Sequence, residues 1–193
     1  LTQEVVYETL LLQQRKELHA RAGQAIEAVY PDRLEEHYEA LAHHYGQSDE
    51  TGNAIHYLEK AGDKAAAYSS LVEARAQYQT AINRLRDVEA KGELQRRFVD
   101  IAVKWAAISL LAPSEEIIAA LETARQYAQH LGDIDRHAKS TAYLGAITLW
   151  SGQFPKGVSL LAEVISQSHN IHDEEPIGIA YAFTAWEGMW TSK

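Results

Sequence analysis

Apolar residues recur along this chain at the three- and four-residue spacing of amphipathic helices, in nine segments separated by short turns. The first segment predicts a short helix to about Leu10 and a longer one to about Val29, stopped by Pro31. Ser114 is a predicted N-cap, followed by glutamates in the first helical turn. The other predicted helices run from Leu34 to Tyr45, Asn53 to Tyr68, Val72 to Ala90, Glu93 to Leu111, Glu115 to Leu131, Asp135 to Trp150, Pro155 to Ser168 and Ile177 to the end.

No long run of valine, isoleucine and threonine alternates with polar residues, so the sequence predicts an all-α protein. Because the connections are short, we expect neighbouring helices to pack antiparallel. A high alanine content and only 4 prolines favour the same conclusion.

The helical pattern also repeats itself. Leu41, Ala42 and Tyr45 share one helix face, and Ala54, Leu58 and Ala61 follow after a nine-residue step. This order of small and large residues resembles the tetratricopeptide repeat, W-x2-L-G-x2-Y followed by A-x3-F, with Tyr38 in place of the tryptophan.

Later segments match the same template. Gly145 leads to Leu161, and Gly62 leads to Tyr78. Trp105, Gly145 and Ala185 are 40 residues apart, so the later units have a longer period than the usual 34. Small residues let paired helices approach closely, and each pair leaves a face that the next pair buries.

The resemblance to tetratricopeptide repeats (TPR) covers residues 34–193. It implies antiparallel helix pairs stacked as a right-handed TPR-like α-solenoid, preceded by a helical segment at residues 1–33. The alternative is an irregular helical bundle, because small and large residues match by chance in alanine-rich helices.

Composition narrows the function. The net charge is −9, whereas nucleic-acid binders usually present a basic face, so we expect no nucleic-acid partner. No apolar run reaches the roughly 20 residues of a membrane span, and no signal peptide is visible, so we expect a cytoplasmic protein. The chain has no cysteine, and its one methionine is Met189, which suggests a piece of a longer protein.

A narrower resemblance covers Tyr7 to Ala65. Arg15, Leu18 and His19, then "LAHHY" and "AIHYLEKAGDKA", are similar to a stretch of large bacterial signalling ATPases. In those proteins a STAND- or AAA-type NTPase domain is followed by helical repeats, often together with a class III adenylate or guanylate cyclase or a LuxR-type domain. The resemblance implies that this chain begins just after an NTPase module.

The chain itself shows no catalytic motif. "GDKAAA" and "GQFPKG" lack the spacing of a phosphate-binding G-x4-G-K-[ST] loop, and neither G-x-S-x-G nor H-E-x-x-H occurs. We therefore expect no enzymatic activity and no cofactor in this chain.

Two groups of histidines raise the question of a metal. His37 and His44 share a helix face, whereas His43 points about 100° away from His44 and would need Glu39 as its partner. His56 lies on the next helix, and no clear third ligand is present. A second group, His169 and His172, precedes the acidic residues of "HDEEP". We expect no metal at either group, with His43 facing a groove and His44 packing against the next helix.

Repeat proteins bind partners along the face formed by the first helix of each pair. In this chain that face would be mostly acidic and would favour a basic or amphipathic peptide. The alternative is a charged face that only contacts solvent, and the ordered Lys, Asn and Arg set of chaperone-binding repeats is not found. The candidate binding residues are Glu36, Glu39, His43, His56, Glu59, Asp63 and Lys139.

These observations predict a non-catalytic sensor or scaffold domain that binds a protein or peptide within a larger bacterial signalling protein. Its partner could be the NTPase or effector domain of the same protein. The alternative is a stand-alone TPR peptide receptor, for which a complete C-terminal capping helix would be expected. Because the last unit reads as truncated, Trp186 and Trp190 could expose a face through which the chain forms a homodimer.

Overall fold

A computed structural model describes residues 12–88 and 91–191, with side chains described as far as residue 185. The described ranges are helical and contain no strand, which confirms the all-α prediction. The helices are α1 (Leu12–Val29), α2 (Tyr38–Gly46), α3 (Thr51–Ala67), α4 (Leu71–Asp87), α5 (Glu93–Ala107), α6 (Glu115–His130), α7 (Ile134–Trp150), α8 (Phe154–Ser166) and α9 (Glu174–Thr191), with 3-10 turns at Pro31–His37 and Ser168–Asn170.

Local sequence explains where several helices begin. The Ser114 hydroxyl accepts from the Ile117 amide at 3.4 Å, as predicted, and Asp133 caps α7 by accepting from the Arg136 amide at 3.0 Å. Gly132, at φ +66°, reverses the chain just before that cap. The predicted helix from Leu34 starts later, at Tyr38, because a non-helical Arg33 (φ −135°) and a 3-10 turn follow Pro31.

Another predicted segment also ends at a different residue in the structure. The helix predicted to Leu111 ends at Ala107, and a turn follows in which Ser109 is buried. The short helix predicted up to Leu10 lies outside the described residues, as do the side chains of Trp186, Met189 and Trp190.

The chain divides into two compact units, residues 1–84 (unit 1) and residues 85–193 (unit 2). The predicted boundary at residue 33 falls inside unit 1. The division falls near the end of α4, so unit 1 holds α1 to α3 and most of α4, and unit 2 holds α5 to α9.

In unit 1, glycines allow tyrosine rings to lie directly on neighbouring helices. A Cβ at Gly23 of α1 would meet the Tyr45 ring at 2.7 Å, and one at Gly62 of α3 would meet the Tyr78 ring at 2.6 Å. The second contact joins the two residues that the repeat template pairs. Tyr45 and Tyr78 are buried, so close helix approach and aromatic packing form the core together.

In unit 2, each helix packs on its neighbour in sequence, and α7 also contacts α5 and α9. The first helices of the predicted pairs, α5, α7 and α9, begin about 40 residues apart. Gly145 lies against Leu161, where a Cβ would approach the leucine side chain to 2.8 Å. Residues 141–149 of α7 are all buried, so this helix is the centre of the unit.

None of the helices within the described ranges is both long enough and apolar enough to cross a membrane.

Candidate binding surfaces

The predicted binding residues occupy three places. Glu36, Glu39 and His43 belong to α2 and the turn before it, and His56, Glu59 and Asp63 share one side of α3, all in unit 1. Lys139 lies on α7 in unit 2. Each of these three sets of residues therefore has its own surroundings.

Glu39 and His43 lie together at a cavity of about 260 Å³ formed by α2, α3 and α4, here called the α2–α4 cavity. Its apolar wall comes from the buried Ala42 and Leu58. The polar wall adds side chains from α4, among them Arg84, which donates to the Gly46 carbonyl at the end of α2. The remaining residues that line it are Gly46, Gln47, Gln77 and Thr80.

The charges at this cavity are only partly neutralised within the chain. Glu39 accepts a hydrogen bond from Lys64 at 3.0 Å, but its side chain is 51% exposed, so the carboxylate remains accessible. His43 is also exposed. The cavity can thus offer a carboxylate, an imidazole and the Gln77 amide to a polar ligand.

The other acidic candidates of unit 1 bind neighbouring side chains of the same chain. Asp63 accepts from the Tyr78 hydroxyl at 2.8 Å, and burial together with this carboxylate raises the pKa of Tyr78. Glu36 pairs with Arg33, whose Nε donates to it at 2.8 Å. Asp63, Glu36 and Glu39 therefore all have intramolecular partners, and of these three only Glu39 lies with His43 at the α2–α4 cavity.

Sequence reasoning missed a buried polar cluster beside these residues. Glu27 of α1 accepts hydrogen bonds from the hydroxyls of Tyr45 and Tyr57, at 2.7 and 2.5 Å. The two rings are stacked with centroids 5.6 Å apart. One carboxylate thus links α1, α2 and α3, and burial together with the Glu27 carboxylate raises the pKa of both tyrosines.

The histidines of α2 meet a third imidazole that spacing along one helix could not reveal. His44 contacts His19 of the preceding helix α1, with 3.0 Å between their Nδ1 atoms. The His43 ring lies 5.7 Å from the His19 ring and 5.5 Å from the His44 ring, measured between centroids. We call His19, His43 and His44 the histidine cluster.

In unit 2, Lys139 serves as a contact between helices. Its ammonium group lies 2.6 Å from Asp173 and 2.8 Å from Glu175, at the start of α9. Asp135, one turn earlier on α7, accepts from the His172 amide at 2.7 Å, and Tyr143, one turn later, donates to Glu175 at 2.7 Å. A stripe on α7 therefore holds the beginning of α9.

The stripe on α7 also contacts the acidic loop "HDEEP", which was considered from the sequence as an ion site. A lysine ammonium group lies between two of its carboxylates, Asp173 and Glu175, where a cation would otherwise be needed. Lys139 lowers the pKa of Asp173 accordingly. His169 lies on an exposed 3-10 turn that precedes this loop.

A second ion-pair group lies on the same side of α7. Arg136 donates to both carboxylate oxygens of Asp100 on α5, at 2.8 and 2.9 Å, and to Asp133 at 2.8 Å. Burial opposes ionisation of Asp133, but hydrogen bonds from the Arg136 backbone and side chain outweigh it and lower the pKa of Asp133. These groups, with Asp135, Lys139 and Asp173, line a cavity of about 370 Å³.

A further cavity of about 310 Å³ lies where α6, α7 and α8 meet. Arg125 donates to both oxygens of Glu163 at 2.7 Å and to the Thr141 hydroxyl at 3.1 Å. His137 lines the same cavity, and burial followed by the nearby Arg125 charge lowers its pKa, so its imidazole is held neutral.

Within residues 12–88 and 91–191, no group of three histidine, aspartate or glutamate side chains has an arrangement that could hold a metal ion. In comparisons with known proteins, no family model, no curated protein and no solved structure matched this chain.

Proposed function

We propose that this chain is a non-catalytic, cytoplasmic module that binds a protein or peptide, built as a TPR-like α-solenoid, and that it regulates a larger bacterial signalling protein as a sensor or scaffold. Three observations support the solenoid: close contacts at Gly62 and Gly145, the spacing of about 40 residues between α5, α7 and α9, and the contacts of α7 with both α5 and α9. Each is a property of stacked helix pairs.

The observation that carries the binding proposal is the α2–α4 cavity. It brings two predicted residues, Glu39 and His43, to one opening between successive helices. Its buried wall of Ala42 and Leu58 can take an apolar group, and the side chains around it can bind a peptide backbone or a charged end.

Size and charge favour a peptide side chain as the ligand. A cavity of about 260 Å³ lies below the range of roughly 300–1,000 Å³ that is typical of small-molecule sites. The accessible Glu39 carboxylate favours a cationic group, and the apolar wall can contact the methylenes of a lysine or arginine. The basic or amphipathic peptide that the sequence predicts therefore fits this cavity.

The test measures binding of three synthetic peptides of equal length, lysine-rich, glutamate-rich and uncharged, by fluorescence anisotropy. We expect the lysine-rich peptide to bind most tightly. Glu39→Lys should weaken it at least about tenfold, since a carboxylate is replaced by a like charge at the opening, which corresponds to about 1.4 kcal/mol.

The matched control is Glu35→Lys, which makes the same charge change at an exposed residue outside the cavity. It should leave the affinity within about twofold. Equal weakening by the two variants would show that only the net charge matters, and equal affinity for all three peptides would refute the proposed site.

The regulatory role is tested first by sequencing the reading frame on both sides of the region that encodes this chain. An upstream P-loop would support a regulatory arm, and ATP turnover with and without the arm would then measure its effect. A start codon immediately upstream, with no NTPase, would favour the stand-alone peptide receptor.

A further inference from the structure

The histidine cluster joins α1 to α2 through a contact that depends on protonation. A hydrogen bond between two Nδ1 atoms needs one N–H donor and one lone pair. The 3.0 Å contact of His19 and His44 therefore requires at least one of the two rings to be neutral. Two imidazolium rings would place two N–H groups and two charges against each other.

We propose that the His19–His44 contact is a pH-sensitive latch, which holds α1 on α2 at neutral pH and releases it when both rings are protonated. The contact lies between rings of different helices, so loss of the hydrogen bond acts on the position of α1 itself. His43 strengthens the effect, because its ring is close to both of the others.

Charged side chains of α1 and α4 lie near the two rings in sequence or through their contacts. Arg15 lies one turn before His19, and Lys16 of α1 is already bound to Asp49 at 2.7 Å. Arg84 of α4 donates to the Gly46 carbonyl, two residues beyond His44. Lys16 and Arg84 are therefore bound to acceptors other than the two histidines.

Two carboxylates, one on α3 and one on α1, bind tyrosine hydroxyls. Asp63 binds Tyr78, and Glu59 acts on the same tyrosine. Glu27 of α1 binds Tyr45 and Tyr57 at the other end of the α1–α2 contact. That second link is independent of the histidines, so we expect α1 to loosen from its N-terminal half first.

The pKa shifts of His19 and His44 give the direction in which docking of α1 depends on pH. Burial, followed by the charges of neighbouring histidines, lowers the pKa of both His19 and His44. A histidine whose pKa is lower in the docked state takes up a proton on release, so docking is favoured above the ordinary histidine pKa of about 6.5. Docking weakens as the pH falls below that value.

The measurement is the distance between spin labels on α1 and α3, by double electron–electron resonance. The chain has no cysteine, so Gln14→Cys in the N-terminal half of α1 and Lys60→Cys on α3, both at exposed residues, give a unique pair. We expect one narrow distance at pH 8 and a broad, longer distribution at pH 5, with a midpoint below about 6.5.

Two variants test whether His19 and His44 cause the release of α1 at low pH. In His19→Gln with His44→Gln, the side chains keep a donor and an acceptor without a titrating group, so the narrow distance should persist at pH 5. His169→Gln, at an exposed histidine of unit 2, should behave like the parent chain. Helical circular dichroism at pH 8 checks that each variant is folded. If the double variant is not folded, the single variant His44→Gln replaces it, and its α1 should stay docked at pH 5.

Either of two results would overturn the latch. One is a narrow distance in the parent chain down to pH 5. The other is equal broadening in a folded glutamine variant, which would assign the pH effect to other groups. Peptide binding at pH 8 is unaffected by both results, so failure of the latch and failure of the proposed function are distinguishable.

Discussion

Substitution of Gly145 tests the close contact between α7 and α8. This residue lies on α7, and an added Cβ would be 2.8 Å from Cγ and Cδ2 of Leu161 and 3.2 Å from the Gly157 carbonyl oxygen. Carbon atoms pack without strain at about 3.5–4.0 Å. Leu161 is fully buried and the carbonyl belongs to the backbone, so Gly145→Ala must push α7 and α8 apart.

The expected free-energy change combines two opposing effects. Overpacking a close core costs about 1–3 kcal/mol, and alanine in place of glycine within a helix gains about 1 kcal/mol. We therefore expect Gly145→Ala to lower the free energy of unfolding by about 1 kcal/mol. Among the described residues, no atom of another part of the chain lies within 4 Å of a Cβ added at Gly178 of α9, so Gly178→Ala should raise the free energy of unfolding by about 1 kcal/mol.

Urea unfolding followed by circular dichroism measures both variants. Because the helix-propensity gain is common to both, their difference isolates the steric cost. With a slope of about 1–3 kcal/mol per molar urea, the two midpoints should differ by about 1 M. Equal midpoints, or a Gly145→Ala chain more stable than its parent, would refute the close approach of α7 and α8.

Three further predictions concern single side chains. The Ser109 hydroxyl is buried without a hydrogen-bond partner among the described residues, so Ser109→Ala should be neutral or stabilising by up to about 1 kcal/mol in thermal unfolding. The control is Ser140→Ala, which loses a 2.9 Å hydrogen bond to the Arg136 carbonyl and should cost about 1 kcal/mol. Lys139→Gln should speed amide exchange at the start of α9 in hydrogen-exchange mass spectrometry, and unchanged exchange there would contradict the α7 stripe. Because Lys139 lowers the pKa of Asp173, the protection at α9 should persist above the unfolded aspartate pKa of about 3.9 and fall as the pH drops through the lower folded value. Lys139→Gln should reduce that acid dependence and leave the part due to the Glu175 amide.

Helix positions followed from sequence because helical periodicity and caps are local. The spacing from Gly62 to Tyr78 and from Gly145 to Leu161 identified residues that do lie in contact across helix pairs. Boundaries were less accurate where the backbone leaves the helix for geometric reasons, as at Arg33. A non-helical residue in the middle of a polar segment leaves no mark on hydrophobic periodicity.

The candidate site was harder to predict, because a helix face does not reveal its partner. Lys139 was placed on a binding face, and the structure shows that Asp173 and Glu175 of the same chain contact it. His19 is 25 residues from His44 in sequence, so no spacing rule for one helix could join them. Glu39 and His43 lie one turn apart on α2, so their placement on one face could be predicted from spacing alone, and both line the α2–α4 cavity.

The burial of α7 has a consequence for how unit 2 opens. Nine consecutive residues, 141–149, are buried, so this stretch of helix has no side from which solvent can reach it while its neighbours stay in place. Its amides can exchange only when α5, α6, α8 or α9 moves away, which makes them reporters of the opening of the unit as a whole. Residues 141–149 should accordingly be the slowest-exchanging segment of unit 2. Because α7 contacts both α5 and α9, a displacement of α5 can reach α9 through this enclosed helix.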